Sequence, residues 1–417
     1  MKIAVIGAGI IGVTTAYELG QDGHEVTVFE RRGAAAEETS FANAGIIAPG
    51  YVTPWAAPGM PRKVIGQMLQ RHAGIRVRLP LARDELAWMW RWYRACNLEQ
   101  YLASRTHMRR LAFYSRARLH TIRNALRLEY DRSDGYMVLL RTERDRDMVQ
   151  PSLQVLREAG VAFRQLEPEQ ARMVEPALNT DTPFQGAIQL PDDEVGNCRQ
   201  FALLLKNEAQ RVGVTFRFNC GVEAIVADAR PAVQLRGETQ AHPFDAIVVC
   251  AGVDSAAMLR SLGIALPLIA VHGYSLSASI REPLNAPRSA IMDEHYKVAI
   301  TRLGNRVRVA GGAEVGGRAS RKNLDTLRTL YKVLQDWFPG AASIHNGIQE
   351  WKGARPMLPD GPPIVGASGT AGIWLNLGHG SSGWALSCGS ARAVADAIAG
   401  KAPEIDMQGF DLSRLAH

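Results

Sequence analysis

The feature that most constrains this chain is its first thirty residues. Lys2-Ile-Ala-Val-Ile6 passes directly into Gly7-Ala-Gly9-Ile-Ile-Gly12, and Glu30 follows 18 residues after Gly12. The apolar KIAVI run reads as a short buried strand, IIGVTTAYELGQDG as a helix, and HEVTVFE as a second, alternating strand. A glycine triplet alone is weak, but a triplet between strand and helix, with an acid ending the next strand, has a physical rationale. The first glycine permits a tight turn, the second lets the backbone approach a pyrophosphate, and the third lets helix pack on strand. The helix start supplies free N–H groups and a favourable dipole for the anion, and Glu30 accepts from a ribose hydroxyl. The spacing therefore points to FAD or NAD. Arg31 and Arg32 are poor evidence for NADP, because Glu30 repels a 2′-phosphate.

At 417 residues and 47% hydrophobic composition the chain is long enough for two domains. The lysine and apolar run at the N-terminus mimic a signal peptide, but the buried strand accounts for them better. No stretch reaches the length of a spanning helix, since GIALPLIAV is short and carries Pro267. The net charge of +7 is concentrated between Arg105 and Arg132, where Leu111, Phe113, Leu119, Ile122 and Leu126 interleave as on an amphipathic helix. A solvated helix face is the expectation there, and no nucleic-acid module accompanies the charge. Cys96, Cys198, Cys220, Cys250 and Cys388 are scattered, so no metal site is expected and a reducing, cytoplasmic location fits.

Residues 50 to 80, rich in Pro and Gly, read as irregular loop, and 84 to 128 as mainly helical. Trp88, Trp90 and Trp92 read as core packing or an exposed apolar face. VTFRF (214 to 218), VEAIVA (222 to 227) and FDAIVVCAG (244 to 252) read as strands, and YKVAITRLGNRVRVAGG as a hairpin turning at Gly304-Asn305. GIWLNLGHGSSG and the following helix, closed by Gly400, repeat the strand-loop-helix pattern of the N-terminus. The expected fold class is α/β with α+β insertions: a Rossmann-like domain interrupted by a domain of mixed sheet and helices. The expected boundaries are 1-60, 155-265 and 346-417 for the nucleotide-binding domain, and 61-154 and 266-345 for the substrate-binding domain.

ETSFANAGIIAPGYVTPWAAPGMP (38 to 61), HGYSL (272 to 276), DEHYKVAITRLGNRVRVAGGAEV (293 to 315), ARPMLPDGPPIVG (354 to 366) and LNLGHGSSGWALSCGS (375 to 390) carry a more specific signal. From end to end they resemble the bacterial D-amino acid dehydrogenase family, small-subunit type, within the D-amino acid oxidase and glycine oxidase superfamily of flavoproteins. The resemblance implies FAD rather than NAD. It implies that Gly7, Gly9, Ile10, Ile11, Gly12, Glu30 and Arg31 hold the ADP half, with Val222, Ala251 and Gly252 near the adenosine. It places Ser40, Asn43, Ala44 and Gly45 by the pyrophosphate and flavin, and Gly378, His379, Gly380, Ser382 and Gly383 along the flavin edge. His379 is equally compatible with a structural loop histidine. Arg355 matches the arginine that clamps the substrate carboxylate, a task suited to its planar, two-pronged guanidinium. Tyr296, and as a second candidate Tyr274, match tyrosines beside that carboxylate, with a core tyrosine the plain alternative for each.

No cysteine lies in a context used for covalent flavin, so non-covalent FAD is expected. The implied reaction is hydride transfer from a D-amino acid to flavin N5, giving an imino acid that hydrolyses to 2-oxo acid and ammonia, with electrons passed to a quinone. A cyclic imino acid substrate such as D-proline or hydroxy-D-proline, or oxygen as acceptor, stays open. So do peripheral contact with the inner face of the cell membrane, a partner subunit and a homo-oligomer.

Overall fold

The computed structural model describes residues 1–67, 70, 72–317, 320–344 and 347–415. The first strand, Lys2–Ile6, lies inside a six-stranded sheet in the order Ile364–Ala367, Ile373–Leu377, Ala246–Val249, Lys2–Ile6, Glu25–Phe29, Thr215–Arg217. Every neighbouring pair is parallel except the first. A parallel sheet is covered on both faces, which is why KIAVI and AIVV are continuous apolar runs. Ile3, Val5, Val26, Val28 and Val248 face a helical layer, while Ala4, Ile6, Ile247 and Val249 face a small three-stranded sheet through Ile225, Val233 and Leu235.

The helical layer contains Ile10–Gln21, Leu98–Leu126, Cys198–Arg211 and Gly383–Ile398. Its polar lock is Glu18, fully buried, which accepts from Arg118 Nε and Nη2 at 2.7 Å each and from Arg392 Nη1 at 2.9 Å. Arg392 also pairs with Asp22 and with Asp396. These carboxylates hold the Arg392 guanidinium above its ordinary pKa despite the opposing effect of burial.

The larger sheet has ten strands. Its main path runs Gln349–Met357, Ile269–Ser279, Arg306–Val315, Val298–Leu303, Ala290–Asp293, Arg132–Leu140, Gly186–Gly196, Ile46–Ile47. The helix Leu324–Trp337 covers one face through Leu327, Leu330, Leu334 and Trp337. The expected hairpin is present, with Leu303 opposite Arg306 across Gly304-Asn305.

Several expectations differ from the structure. The strands Ile46–Ile47, Gly186–Gly196 and Gln349–Met357 lie in the large sheet, although the expected boundaries group them with the nucleotide-binding segments. Conversely, the long helix Leu98–Leu126 packs its Met108, Leu111, Leu119 and Ile122 into the core of the nucleotide-binding sheet. Its arginines are not a purely solvated face: besides Arg118, Arg116 pairs with Asp193 and Arg123 with Glu194. The 50 to 80 stretch contains a helix, Met60–Gln67, and a strand, Ile75–Val77. Trp88 and Trp92 are buried and stacked, whereas Trp90 is 62% exposed.

Removing one partner of a buried ion pair typically costs about 3 to 5 kcal/mol, because the other charge stays buried without compensation. Arg392→Met is expected to lose stability in this range, measured by urea denaturation of the holoenzyme. A loss below about 1 kcal/mol, the level of a surface pair, would mean that the cluster does not lock the helices.

Candidate active site

The glycine turn separates what the protein requires from what it leaves open. Gly7 has φ +100°, its N–H donates to Phe29 O at 2.8 Å, and an added Cβ would lie 2.7 Å from Cys250 O. At Gly12 a Cβ would lie 1.8 Å from Gly7 O. Both are thus imposed by the fold. Gly9 is different: its φ of −67° and ψ of 179° suit any residue, and a Cβ would meet only Ser40 Oγ, at 3.5 Å. Nothing in the protein demands glycine there, so the space in front of the helix fits a group that approaches backbone closely, such as a pyrophosphate.

Around this turn the expected contacts converge. Ile10 N–H donates to Ser40 Oγ at 3.0 Å, and Ile11 packs on the helical core. Glu30 is buried at the end of its strand and accepts the N–H groups of Ala8 and Arg32, each at 2.8 Å. The Cys220 N–H donates to Glu30 O, which brings the strand beginning at Val222 alongside. Arg31 pairs with Asp254 at 2.8 Å, just beyond Ala251 and Gly252. These residues cluster where parallel strands end, the place at which open α/β sheets bind nucleotides.

A cavity of about 530 Å³ runs from Ile10, Ser40, Asn43, Ala44 and Gly45 to the start of the last helix at Gly380, Ser382 and Gly383. It continues over the large sheet, whose floor is Gly353, Gly273, Gly312, Ala310, Ala299 and Met292. Tyr51, Tyr136, Trp55 and Tyr101 enclose the far part. Asn43 Oδ1 accepts the Gly45 N–H at 3.0 Å and its carbonyl accepts from Arg308 Nη1 at 3.1 Å, so the loop is tied to the sheet.

Arg355 lines the cavity and donates from Nη1 to the Gly312 carbonyl at 2.8 Å. No carboxylate pairs with it among the described residues. Burial lowers its pKa to about 10, so it remains a cation at neutral pH. Tyr274 also lines the cavity, but its hydroxyl donates to Glu314 Oε1 and accepts from the Asn323 N–H, each at 3.1 Å. Tyr296 is placed elsewhere, with its ring against Arg141, Lys332 and His72, outside the cavity lining. Gly378 and His379 sit one step behind it. The buried His379 shares a hydrogen bond with Ser390 Oγ at 3.0 Å, and burial lowers its pKa to about 3. The ring is neutral at physiological pH and fastens the glycine loop to the last helix. Sequence reasoning missed Gly273, Tyr51, Tyr136, Lys63 and Glu294 as lining residues, because only tertiary folding brings them together.

The model of the DAO family, FAD-dependent oxidoreductases, matches residues 2–397. The chain belongs to this family. It is 42% identical over 421 residues to a D-amino acid dehydrogenase of Bradyrhizobium diazoefficiens, covering 100% of this chain and 99% of the relative. Its fold is similar to glycine oxidase from Geobacillus kaustophilus, with TM-score 0.78, 21% identity and coverage of 99% and 98% of the two chains. It is also similar to L-proline dehydrogenase from P. horikoshii, with TM-score 0.72, 16% identity and coverage of 100% and 97%. The chain is therefore an FAD-dependent oxidoreductase, with a Rossmann-like FAD-binding domain and a substrate domain.

Gly9→Val is expected to fold with the thermal stability of the FAD-free wild type yet retain little FAD, because an added Cβ meets only Ser40 Oγ in the protein but would intrude on the pyrophosphate. Flavin absorbance per protein and the unfolding temperature are measured together. Full flavin content in a folded variant would show that the pyrophosphate lies elsewhere.

Proposed function

We propose that this enzyme oxidises a D-amino acid, with the substrate carboxylate held by Arg355. The observation that carries this reading is an arginine that has no carboxylate partner among the described residues and lines the cavity that the FAD-binding loops also line. The Gly312 carbonyl takes one nitrogen of the guanidinium and fixes its plane. The remaining N–H groups are then available as the parallel pair that a carboxylate prefers. The name of the 42% identical relative supports the D configuration.

Gly7, Gly9 and Gly12 with Ser40 and Glu30 would hold the ADP half of FAD, and Asn43 to Gly45 with Gly380 to Gly383 would border its flavin. The start of the last helix directs its positive end toward that border, where it favours the negative charge gained on reduction. FAD, when bound, would supply the acceptor for the hydride that leaves the substrate's α-carbon. The protein's share is to fix the carboxylate, present the α C–H and exclude water, for which positioning and not acid–base work is the main lever. The imino acid hydrolyses in water to a 2-oxo acid and ammonia. All five cysteines are absent from the cavity lining, and burial pushes the Cys250 thiol up to about 12, which supports a non-covalent cofactor.

The electron acceptor in this reading is a quinone. No helix among the described residues is long and apolar enough to cross a membrane. The helix Arg83–Ala95 nevertheless exposes Leu86, Trp90 and Tyr93 on one face, with Arg83 and Arg94 also exposed. Aromatic and basic side chains together suit the headgroup level of an anionic bilayer, from which a quinone is reached without spanning it.

Truncating a charge partner of a bound anion costs about 2 to 5 kcal/mol, roughly 30-fold to several-thousand-fold in affinity. Arg355→Ala is expected to lose this much for a D-amino acid, read from anaerobic flavin reduction against substrate concentration. Arg355→Lys should recover only part, since an ammonium lacks the planar fork. Flavin content should persist in both. Near-normal affinity in Arg355→Ala sinks the carboxylate assignment.

Turnover should be fast with a soluble quinone and slow with oxygen. Trp90→Glu should keep activity with a soluble dye but lose stimulation by quinone-loaded anionic vesicles. Stoichiometric peroxide at a comparable rate under air would make the protein an oxidase, and undiminished vesicle stimulation in Trp90→Glu would remove the proposed docking face.

A further inference from the structure

We infer that Gly273 is a positioning residue for the substrate clamp: the side chain it lacks is the slot in which the Arg355 guanidinium lies. This rests on the reading of Arg355 as the carboxylate ligand. The strands Ile269–Ser279 and Gln349–Met357 pair antiparallel, with Gly273 opposite Gly353 and Val271 opposite Arg355. Directly paired residues share a face, so Arg355 and Gly273 are diagonal neighbours on the cavity side. To reach the Gly312 carbonyl on the strand Arg306–Val315, the Arg355 side chain must cross Ile269–Ser279. It crosses at Gly273.

An added Cβ at Gly273 would lie 2.3 Å from Arg355 Nη2, 2.5 Å from Cζ and 2.9 Å from Nη1. Those three guanidinium atoms are its nearest neighbours. No backbone atom stands as close as these three, and Gly273 is not among the glycines of positive φ. The pairing with Arg306–Val315 also shifts register between His272 and Tyr274, so the ladder bulges at this residue. The φ of the local backbone therefore suits alanine, and the first atoms its methyl would strike belong to the guanidinium. This differs from Gly12, where a side chain would strike the backbone of Gly7. A methyl at 273 lifts the guanidinium off the floor, breaks its bond to Gly312 and removes the plane against which a carboxylate aligns. The fold survives because the far end of a flexible side chain is what gives way.

The test is a double-mutant cycle of Gly273→Ala, Arg355→Ala and the combined variant, all as purified holoenzyme. D-alanine and D-proline serve as probes in anaerobic flavin reduction. Gly273→Ala should keep full flavin content and weaken apparent affinity by at least about tenfold, approaching the loss of Arg355→Ala. In the Arg355→Ala background the same methyl should change affinity by less than about twofold, because residues that act through one contact are not additive. A merely structural glycine would instead weaken both backgrounds alike, and that result overturns the inference. So does wild-type affinity in Gly273→Ala while Arg355→Ala is impaired, an outcome that leaves the clamp standing. If Arg355→Ala itself binds normally, the carboxylate reading fails first and the positioning role falls with it. Should Gly273→Ala not accumulate as folded holoenzyme, recovery of folding in the combined variant supports the slot, and no recovery overturns it.

Discussion

Glu18 carries the constraint on which the rest depends. It is a carboxylate with no solvent exposure, and it is neutralised by arginines 100 and 374 residues further along the chain. A lone buried charge is costly, so the helices Ile10–Gln21, Leu98–Leu126 and Gly383–Ile398 can come together only in an arrangement that delivers both guanidinium groups. That arrangement sets the direction of two helices whose starts border the cavity, one at Ile10 and the other at Gly383. In the proposed reading one helix end would meet the pyrophosphate and the other the flavin border, so a single electrostatic lock aims both cavity-facing ends.

The substrate side follows a different logic, in which small residues make room. Gly353, Gly273, Gly312, Ala310 and Ala299 line the cavity from successive strands of the large sheet. The opposite face of the same sheet packs Leu276, Ile300 and Val309 against a helix. The period-two alternation of a strand therefore separates a dense core from a hollow floor in the same residues of chain. Where larger groups appear, as at Tyr51 and Tyr136, they close the far part of the hollow.

Elements held by local rules were legible from sequence. The βαβ unit follows from apolar runs and glycine spacing, the hairpin from Gly304-Asn305, and the end of the last helix from Gly400, which has φ +69°. Features set by distant segments were not. The strand Gly186–Gly196 gives no local sign of which sheet it joins, and the arginine at 118 looks the same in sequence whether it faces water or Glu18. The family resemblance brought Arg355 and the glycine loops to the cavity's edge, but it could not show that Tyr296 lies against Arg141 or that the Tyr274 hydroxyl is taken by Glu314 and Asn323. Gly273 was readable only as one letter of a motif, because its significance is the volume of a side chain 82 residues away.

Two cations, Arg392 buried and Arg355 half-buried at the cavity wall, show how the protein divides stability from function. Arg392 is surrounded by Glu18, Asp22 and Asp396, and these carboxylates hold its proton more tightly than water does. Among the described residues Arg355 has only the Gly312 carbonyl for support, and burial lowers its pKa to about 10. The first cation is satisfied by folding; the second is left incomplete by it. In the proposed reading a carboxylate entering the cavity would supply the missing counter-charge in surroundings that screen it less than water does. An arginine suits this task better than a lysine, because burial that depresses a guanidinium from its high starting pKa still leaves it charged, whereas an ammonium starts lower and more readily gives up its proton. In the proposed reading, the electrostatic deficit that folding leaves at Arg355 would be the source of selectivity for a carboxylate-bearing substrate.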